Sequence, residues 1–128
     1  MRLLLDTHAL LWFLEGSDKL RRAARQVIED EANTVFVSAV SAMEVTTKVR
    51  LGKLASAEAL ALNFEVEILV RGFLPLPITL AHAERAGGMP GEHRDPFDRL
   101  LIAQALVEDL TLVSNEAIFD GFGVKRLW

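Results

Sequence analysis

Leu3-Leu4-Leu5-Asp6-Thr7-His8-Ala9-Leu10-Leu11 places a short uninterrupted apolar run, an acid and the start of a helix in direct succession. An apolar run of this length without alternation reads as a strand covered on both faces, as in a parallel sheet. Asp6 then falls at the carboxyl end of that strand, and Thr7-His8-Ala9-Leu10-Leu11 opens a helix. Working outward, Val35-Phe36-Val37, Leu74 to Ile78, Thr111-Leu112-Val113 and Val124 to Leu127 have the same character. Between them lie stretches with helical spacing. Leu20, Ala23, Ala24, Val27 and Ile28 form one stripe, Val45, Val49 and Leu54 follow Glu44, and Leu101, Ile102, Ala105 and Leu106 form another. Strands alternating with helices predict an α/β fold: a Rossmann-like, five-stranded parallel sheet with about six or seven helices on both faces. Pro75 and Pro77 flank Leu76 and predict an edge strand or a weak one there. The segment Gly87-Gly88-Met89-Pro90-Gly91-Glu92-His93-Arg94 reads as a loop. There is no internal repeat and no linker, so residues 1–128 are expected to form one domain.

Half of the chain is apolar, 51% of its 128 residues, which supports a core without covalent staples. Cysteine is absent, which excludes disulfides, thiolate zinc sites and cysteine nucleophiles. The N-terminus reaches Asp6 after three leucines, too soon for a secretory apolar region, and no apolar run approaches a membrane span. A cytoplasmic protein with no membrane partner is the expectation. The formal net charge of -4 argues against a general nucleic-acid binder, unless several acids are gathered at one place to hold metal.

In a parallel sheet of this kind ligands bind beyond the carboxyl ends of the strands, where the strand order reverses. Asp6 stands at such an end. It also fits a helix N-cap. Ser41-x-x-Glu44 matches a capping box, so Glu44 could serve only to close a helix start. Asp95-Pro96 reads as an N-cap followed by proline at the first helical position, with Asp98 two residues further into the helix. Each acid thus has a structural explanation by itself. Together, three helices starting near one sheet edge would carry Asp6, Glu44 and Asp98 toward one place, where like charges resist burial. A divalent cation removes that conflict, and an all-oxygen set without cysteine favours Mg²⁺ or Mn²⁺. His8, His82 and His93 are scattered and read as ordinary helix or loop residues. No phosphate-binding glycine loop and no G-x-S-x-G elbow is present. A phosphotransfer enzyme with an aspartyl nucleophile at Asp6 commonly needs an acid two residues on, where His8 stands.

Leu3-Leu4-Leu5-Asp6-Thr7-His8, Ser38-Ala39-Val40-Ser41-Ala42-Met43-Glu44-Val45 and His93-Arg94-Asp95-Pro96-Phe97-Asp98-Arg99-Leu100-Leu101-Ile102-Ala103-Gln104-Ala105 resemble the PIN-domain family, nearest to bacterial VapC-type toxins. The ending, from Leu112-Val113-Ser114-Asn115-Glu116 to Leu127-Trp128, is similar as well, so the resemblance spans essentially the whole chain. It implies that Asp6, Glu44 and Asp98 bind metal. A fourth acid in the family, usually Asp, follows a Thr-x pair; Ser114-Asn115-Glu116 stands there, so both the hydroxyl residue and the acid depart from the pattern. Glu116 is the expected fourth acid, with Thr7, Ser114, Asp95 and Lys48 supporting the acids or touching phosphate. Lys48, four residues after Glu44, also fits a simple surface pair with it. Arg50, Lys53, Arg94 and Arg99 are further basic residues near the acids, whereas Arg21, Arg22 and Arg25 read as a solvated face. The resemblance implies Mg²⁺-dependent (or Mn²⁺-dependent) RNA hydrolysis leaving a 5′-phosphate and a 3′-hydroxyl. It also implies a homodimer and a VapB-like antitoxin that inhibits the enzyme. Two other readings are a catalytically weak PIN-like module that binds RNA or protein, and a phosphohydrolase of small phosphates.

Overall fold

The computed structural model describes residues 1–128. Five strands form a single sheet: β1 (Arg2–Leu5), β2 (Thr34–Ser38), β3 (Leu74–Leu76), β4 (Thr111–Val113) and β5 (Arg126–Leu127). Their order is β3-β2-β1-β4-β5, and every pairing is parallel. The expected α/β architecture is therefore the observed one. Seven helices surround the sheet: α1 (Thr7–Glu15), α2 (Arg22–Glu29), α3 (Ala39–Arg50), α4 (Glu58–Leu62), α5 (Phe64–Val70), α6 (Leu80–Gly88) and α7 (Pro96–Val107). Two 3₁₀ turns, Ala55–Ala57 and Ala117–Phe122, complete the chain.

β1 explains why three consecutive leucines are needed. It is the central strand, pairing Leu4 with Phe36 on one side and Leu112 on the other. Alternation along the strand sends Leu3 and Leu5 to one face and Leu4 to the opposite one. Leu3 and Leu5 join Ala9, Leu10, Ala24, Ile28, Val35, Val37 and Phe73 in one core, under α1, α2 and α5. Leu4 joins Leu101, Ile102, Leu110, Leu112 and Phe119 in the other, largely under α6 and α7. All three leucines are fully buried, each stabilising the fold by roughly 1.5–3 kcal/mol. A polar residue at any of them would therefore face a core, whichever side it pointed to.

Several boundaries differ from the sequence reading. β3 stops at Leu76, because Pro77 has no N–H for a ladder; it is the edge strand that the prolines predicted. β5 is only Arg126–Leu127, shorter than the apolar run from Val124. Gly87 and Gly88 end α6 rather than open the loop, which begins at Met89. Ser41 does not cap a helix. The helix starts earlier, at Ala39, and its N-cap is Ser38, whose hydroxyl accepts the Val40 N–H at 2.9 Å. Glu44 therefore lies well inside α3, and the capping-box reading is overturned. At the far end of α1, Gly16 takes φ 65 and donates its N–H to the carbonyls of Trp12 and Phe13, a left-handed cap that side chains disfavour.

The chain runs outward from β1 through β2 to β3, then crosses back to β4 on the other side of β1. The order reverses between β1 and β4, and the Asp6 N–H donates to the Val113 carbonyl at 3.1 Å in that gap. This is the place where an open α/β sheet forms a crevice.

Candidate functional site

Asp6 leaves β1 at the mouth of that crevice and is 5% exposed. Its Oδ1 accepts the Ala9 N–H at 2.7 Å, so it caps α1 as its position predicted. Capping does not remove it from the crevice, because it also lines a polar cavity of about 190 Å³ with Thr7, His8, Glu44, Lys48, Asp95, Asp98 and Glu116. Burial pushes the Asp6 carboxyl up to about 6 and outweighs the Ser114 hydroxyl and Ala9 amide, which favour the ionised form. The nearby Glu116 charge raises it further.

Glu44 arrives from the second turn of α3, on the opposite wall. Thr7 donates its hydroxyl to Glu44 Oε1 at 2.7 Å, and Lys48 donates to Oε2 at 2.8 Å. With the Thr7 proton committed to the carboxylate, Ser41, 3.0 Å away, is the donor to Thr7. The buried Ser41 thus belongs to a relay from α3 through α1 back to Glu44. Lys48 pairs with Glu44, one of the two roles weighed for it, and lines the cavity as well.

Asp98 sits in the first turn of α7. Asp95 caps that helix, accepting from Phe97 N at 2.9 Å and Asp98 N at 3.3 Å, with Pro96 at the first helical position. Asp98 itself does not cap. Its Oδ2 pairs with His93 Nε2 at 2.7 Å. Burial raises the Asp98 carboxyl above its ordinary value; His93 opposes this, and the charges of Asp95 and Glu44 add to it. Glu116 precedes the Ala117–Phe122 turn, and its N–H donates to the buried Ser114 hydroxyl at 3.0 Å. Ser114 therefore fixes the backbone that presents Glu116. Asp120 is outside the cavity, held by Arg126 at 2.8 and 3.1 Å, and that guanidinium keeps its carboxyl low.

Two of the three histidines hold specific partners. His93 is bonded to Asp98 and wedged edge-on against Phe119 and Phe122. His82 is fully buried, closes a reciprocal cap with Thr79, and reaches Glu108 at 2.8 Å. No spacing signal marked the His93–Asp98 or His82–Glu108 contact, since each joins a helix to a loop or to another helix. Gln104 went unnoticed for the same reason. It accepts from Ser38 Oγ at 2.5 Å and donates to the Pro77 carbonyl at 3.2 Å. Ser38 caps the Glu44 helix and Gln104 lies on the Asp98 helix, so this bond ties the two walls together. Among the basic residues, Arg99 binds the carbonyls of Ala86, His93 and Met89. That spends it on holding the His93 loop rather than on a phosphate. Arg94, Arg50 and Lys53 are exposed. Arg21 and Arg22 are solvated as expected, but Arg25 packs over Phe13 and is partly covered.

The carboxylates that line this cavity offer hard oxygens, one of them buried against its own ionisation, and that chemistry suits Mg²⁺ or Mn²⁺. No three acid or histidine side chains stand close enough to hold an ion without adjustment. Thr7, Lys48 and His93 hold the carboxylates instead.

A PIN domain family model matches residues 3–125. Among solved structures, VapBC2 from Rickettsia felis, bound to a DNA fragment from its promoter, aligns at TM-score 0.73 and 17% identity, covering 100% of this chain and 99% of that one. FitAcB from Neisseria gonorrhoeae aligns at 0.69 and 22%, covering 98% and 96%. Mycobacterium tuberculosis VapC20, described as a Sarcin-Ricin loop cleaving toxin, aligns at 0.65 and 16%, covering 95% of each chain. At these identities the likeness is one of fold. Sequence comparison with curated proteins finds no match. No helix is long and apolar enough to cross a membrane.

Proposed function

The chain belongs to the PIN-domain family, and from that premise we propose that it is a VapC-type endoribonuclease toxin, dependent on Mg²⁺ or Mn²⁺. The observation that carries the reading is the shared cavity of Asp6, Glu44, Asp98 and Glu116 at the strand-order reversal. Four acids from four separate segments meet there, and one is buried at a cost to its own ionisation. When bound, a divalent ion polarises the phosphodiester and makes a water more acidic. Asp6, Glu44, Asp98 and Glu116 are the residues that would hold it.

The remaining groups position these acids. Thr7 fixes the Glu44 rotamer through Oε1, and His93 fixes Asp98 through Oδ2. Lys48 supplies a positive charge at the cavity, where it can meet a substrate phosphate once Glu44 is otherwise satisfied. Ser114 shapes the turn that presents Glu116. Hydrolysis by a metal-activated water, which the family resemblance implies, would leave a 5′-phosphate and a 3′-hydroxyl.

A VapB-like antitoxin that blocks the cavity, and a homodimer, belong to the same proposal. The antitoxin is supported by VapBC and FitAcB assemblies sharing the fold, and the homodimer by the family resemblance alone. The test is direct. Protein freed of any partner is incubated with cellular RNA plus Mg²⁺ or Mn²⁺, and again with EDTA. Cutting that EDTA abolishes is the expected result. RNA binding with no cutting in any metal would instead identify a PIN-like binding module.

A further inference from the structure

His8 lines the acid cavity and is exposed, and its ring stacks on Trp12 with centroids 5.4 Å apart and planes 19° apart. Trp12 is braced in turn by Trp128, edge-on at 5.8 Å. Positions 8 and 12 are one helical turn apart, so α1 itself puts the two rings on one face. Ordinary helix packing explains why Trp12 is partly buried: it leans on the core beneath α1. It does not explain His8, whose ring stays exposed while stacked on Trp12 and borders the cavity two residues beyond Asp6. The charge balance sharpens the question. With a net charge of -4 and acids gathered at the cavity, the protein has little of the counterion release that gives nucleic-acid binders their affinity. Attraction that does not depend on charge is needed, and base stacking on aromatic rings supplies it for unpaired nucleic acid.

We propose that the His8–Trp12 stack, braced by Trp128, is a subsite for an unpaired nucleobase of the RNA, next to the phosphate held at the acid cavity. The proposal rests on the RNA-cutting reading above for its ligand. The base lies on the open face of His8, and Trp12 keeps that ring flat and in place. Because every base has a π-face, the subsite selects for single-stranded RNA rather than for one sequence. A duplex, whose bases are already stacked on each other, cannot offer one without local opening.

The chain carries two tryptophans and no tyrosine, so its intrinsic emission reports from this cluster alone. Wild type, His8→Ala and His8→Phe are titrated with a short single-stranded oligoribonucleotide and with a base-free ribose-phosphate oligomer of equal length. Ca²⁺ is present to neutralise the acids, and the RNA is checked for integrity afterwards. The base-bearing RNA should change the emission and bind wild type about five- to 150-fold more tightly than the base-free oligomer, the span of 1–3 kcal/mol per stacked base. His8→Ala should erase that difference, and His8→Phe should keep it. Equal binding of the two ligands by wild type overturns the proposal. So does an emission change produced only by a partner protein. Cleavage of RNA with Mg²⁺ is measured on the same preparations. Cutting without base discrimination removes the subsite and leaves the nuclease, whereas base discrimination without cutting removes the nuclease and leaves the subsite.

Discussion

Asp6 is an ionisable group held almost out of reach of water, and its carboxyl is pushed from 3.8 up to about 6. Protonated Asp6 therefore favours the folded state. Without metal, that contribution is fully present below about pH 4 and is lost as the pH rises through 6, a swing of about 3 kcal/mol. Asp98 is shifted in the same direction, also by burial. Asp6→Asn removes the ionisation and keeps a good N-cap. In EDTA at pH 7 the variant should be more stable than wild type by about 1–3 kcal/mol, with the gap closing toward pH 4, and with Mg²⁺ present its cleavage should be lost while wild type cuts. Thermal melts across that pH range check it; a variant less stable at every pH would contradict the burial argument. A second contrast concerns Glu116 and Asp120. Glu116 lines the cavity, whereas Asp120 is tied to Arg126 outside it. Glu116→Gln should lower activity and raise the Mg²⁺ needed, and Asp120→Asn should leave both nearly unchanged. Metal titrations of the two variants decide, and a larger loss from Asp120→Asn would reverse the assignment. Asp6 and Glu116 were legible in the sequence because they follow apolar runs, and Glu44 and Asp98 because the segments around them resemble the family's. Their partners were not: His93 and Thr7 find Asp98 and Glu44 only after the chain has folded.

At the level of elements, α3 and α7 form facing walls, and Ser38–Gln104 is the polar link between them. Gln104 is fully buried, so its loss leaves the Ser38 hydroxyl and the Pro77 carbonyl short of a partner. Gln104→Leu should destabilise the protein by about 1–3 kcal/mol. It should also raise the Mg²⁺ concentration needed for activity, because Glu44 and Asp98 lose their common anchor. Leu112→Ala serves as the control: it should cost about 2–5 kcal/mol from the core and leave the Mg²⁺ requirement alone. Equal metal titrations for wild type and Gln104→Leu would reduce Gln104 to a structural role. The helix that carries Glu44 also shows why local motifs mislead. Ser41-x-x-Glu44 has the residues of a capping box, yet Ser38 offers a hydroxyl three residues earlier, directly at the end of β2. The chain turns into a helix where the strand ends, and the later motif is carried into the helix interior.

Over the whole molecule, the sheet brings together acids that are up to 110 residues apart in sequence, from Asp6 to Glu116. A ligand that binds only this assembled state stabilises it by RT ln(1 + [L]/Kd), roughly 2.7 kcal/mol at a hundredfold excess over Kd. Mg²⁺ or Mn²⁺ should therefore raise the melting temperature of wild type and do little for the Asp6→Asn, Asp98→Asn double variant. Equal shifts in both proteins would place the ion elsewhere.

Strand identity, sheet type and the strand-end position of Asp6 were settled by the sequence alone, since they depend on local periodicity: Leu3-Leu4-Leu5 has no alternation because both faces of β1 are covered. The prolines around Leu76 likewise decided that β3 lies at an edge, because a missing N–H is a property of the residue itself. The tertiary structure alone decided which hydroxyl, ammonium or imidazole holds each acid, and which basic residues remain available. Those outcomes depend on distances between side chains from different elements. Arg99 next to the acids reads like a phosphate ligand until α6 and the 89–93 loop fold against it and take its donors for three carbonyls. Burial set the ionisation of Asp6 in the same way, because desolvation is a property of the packed sheet and its helices rather than of the carboxyl group.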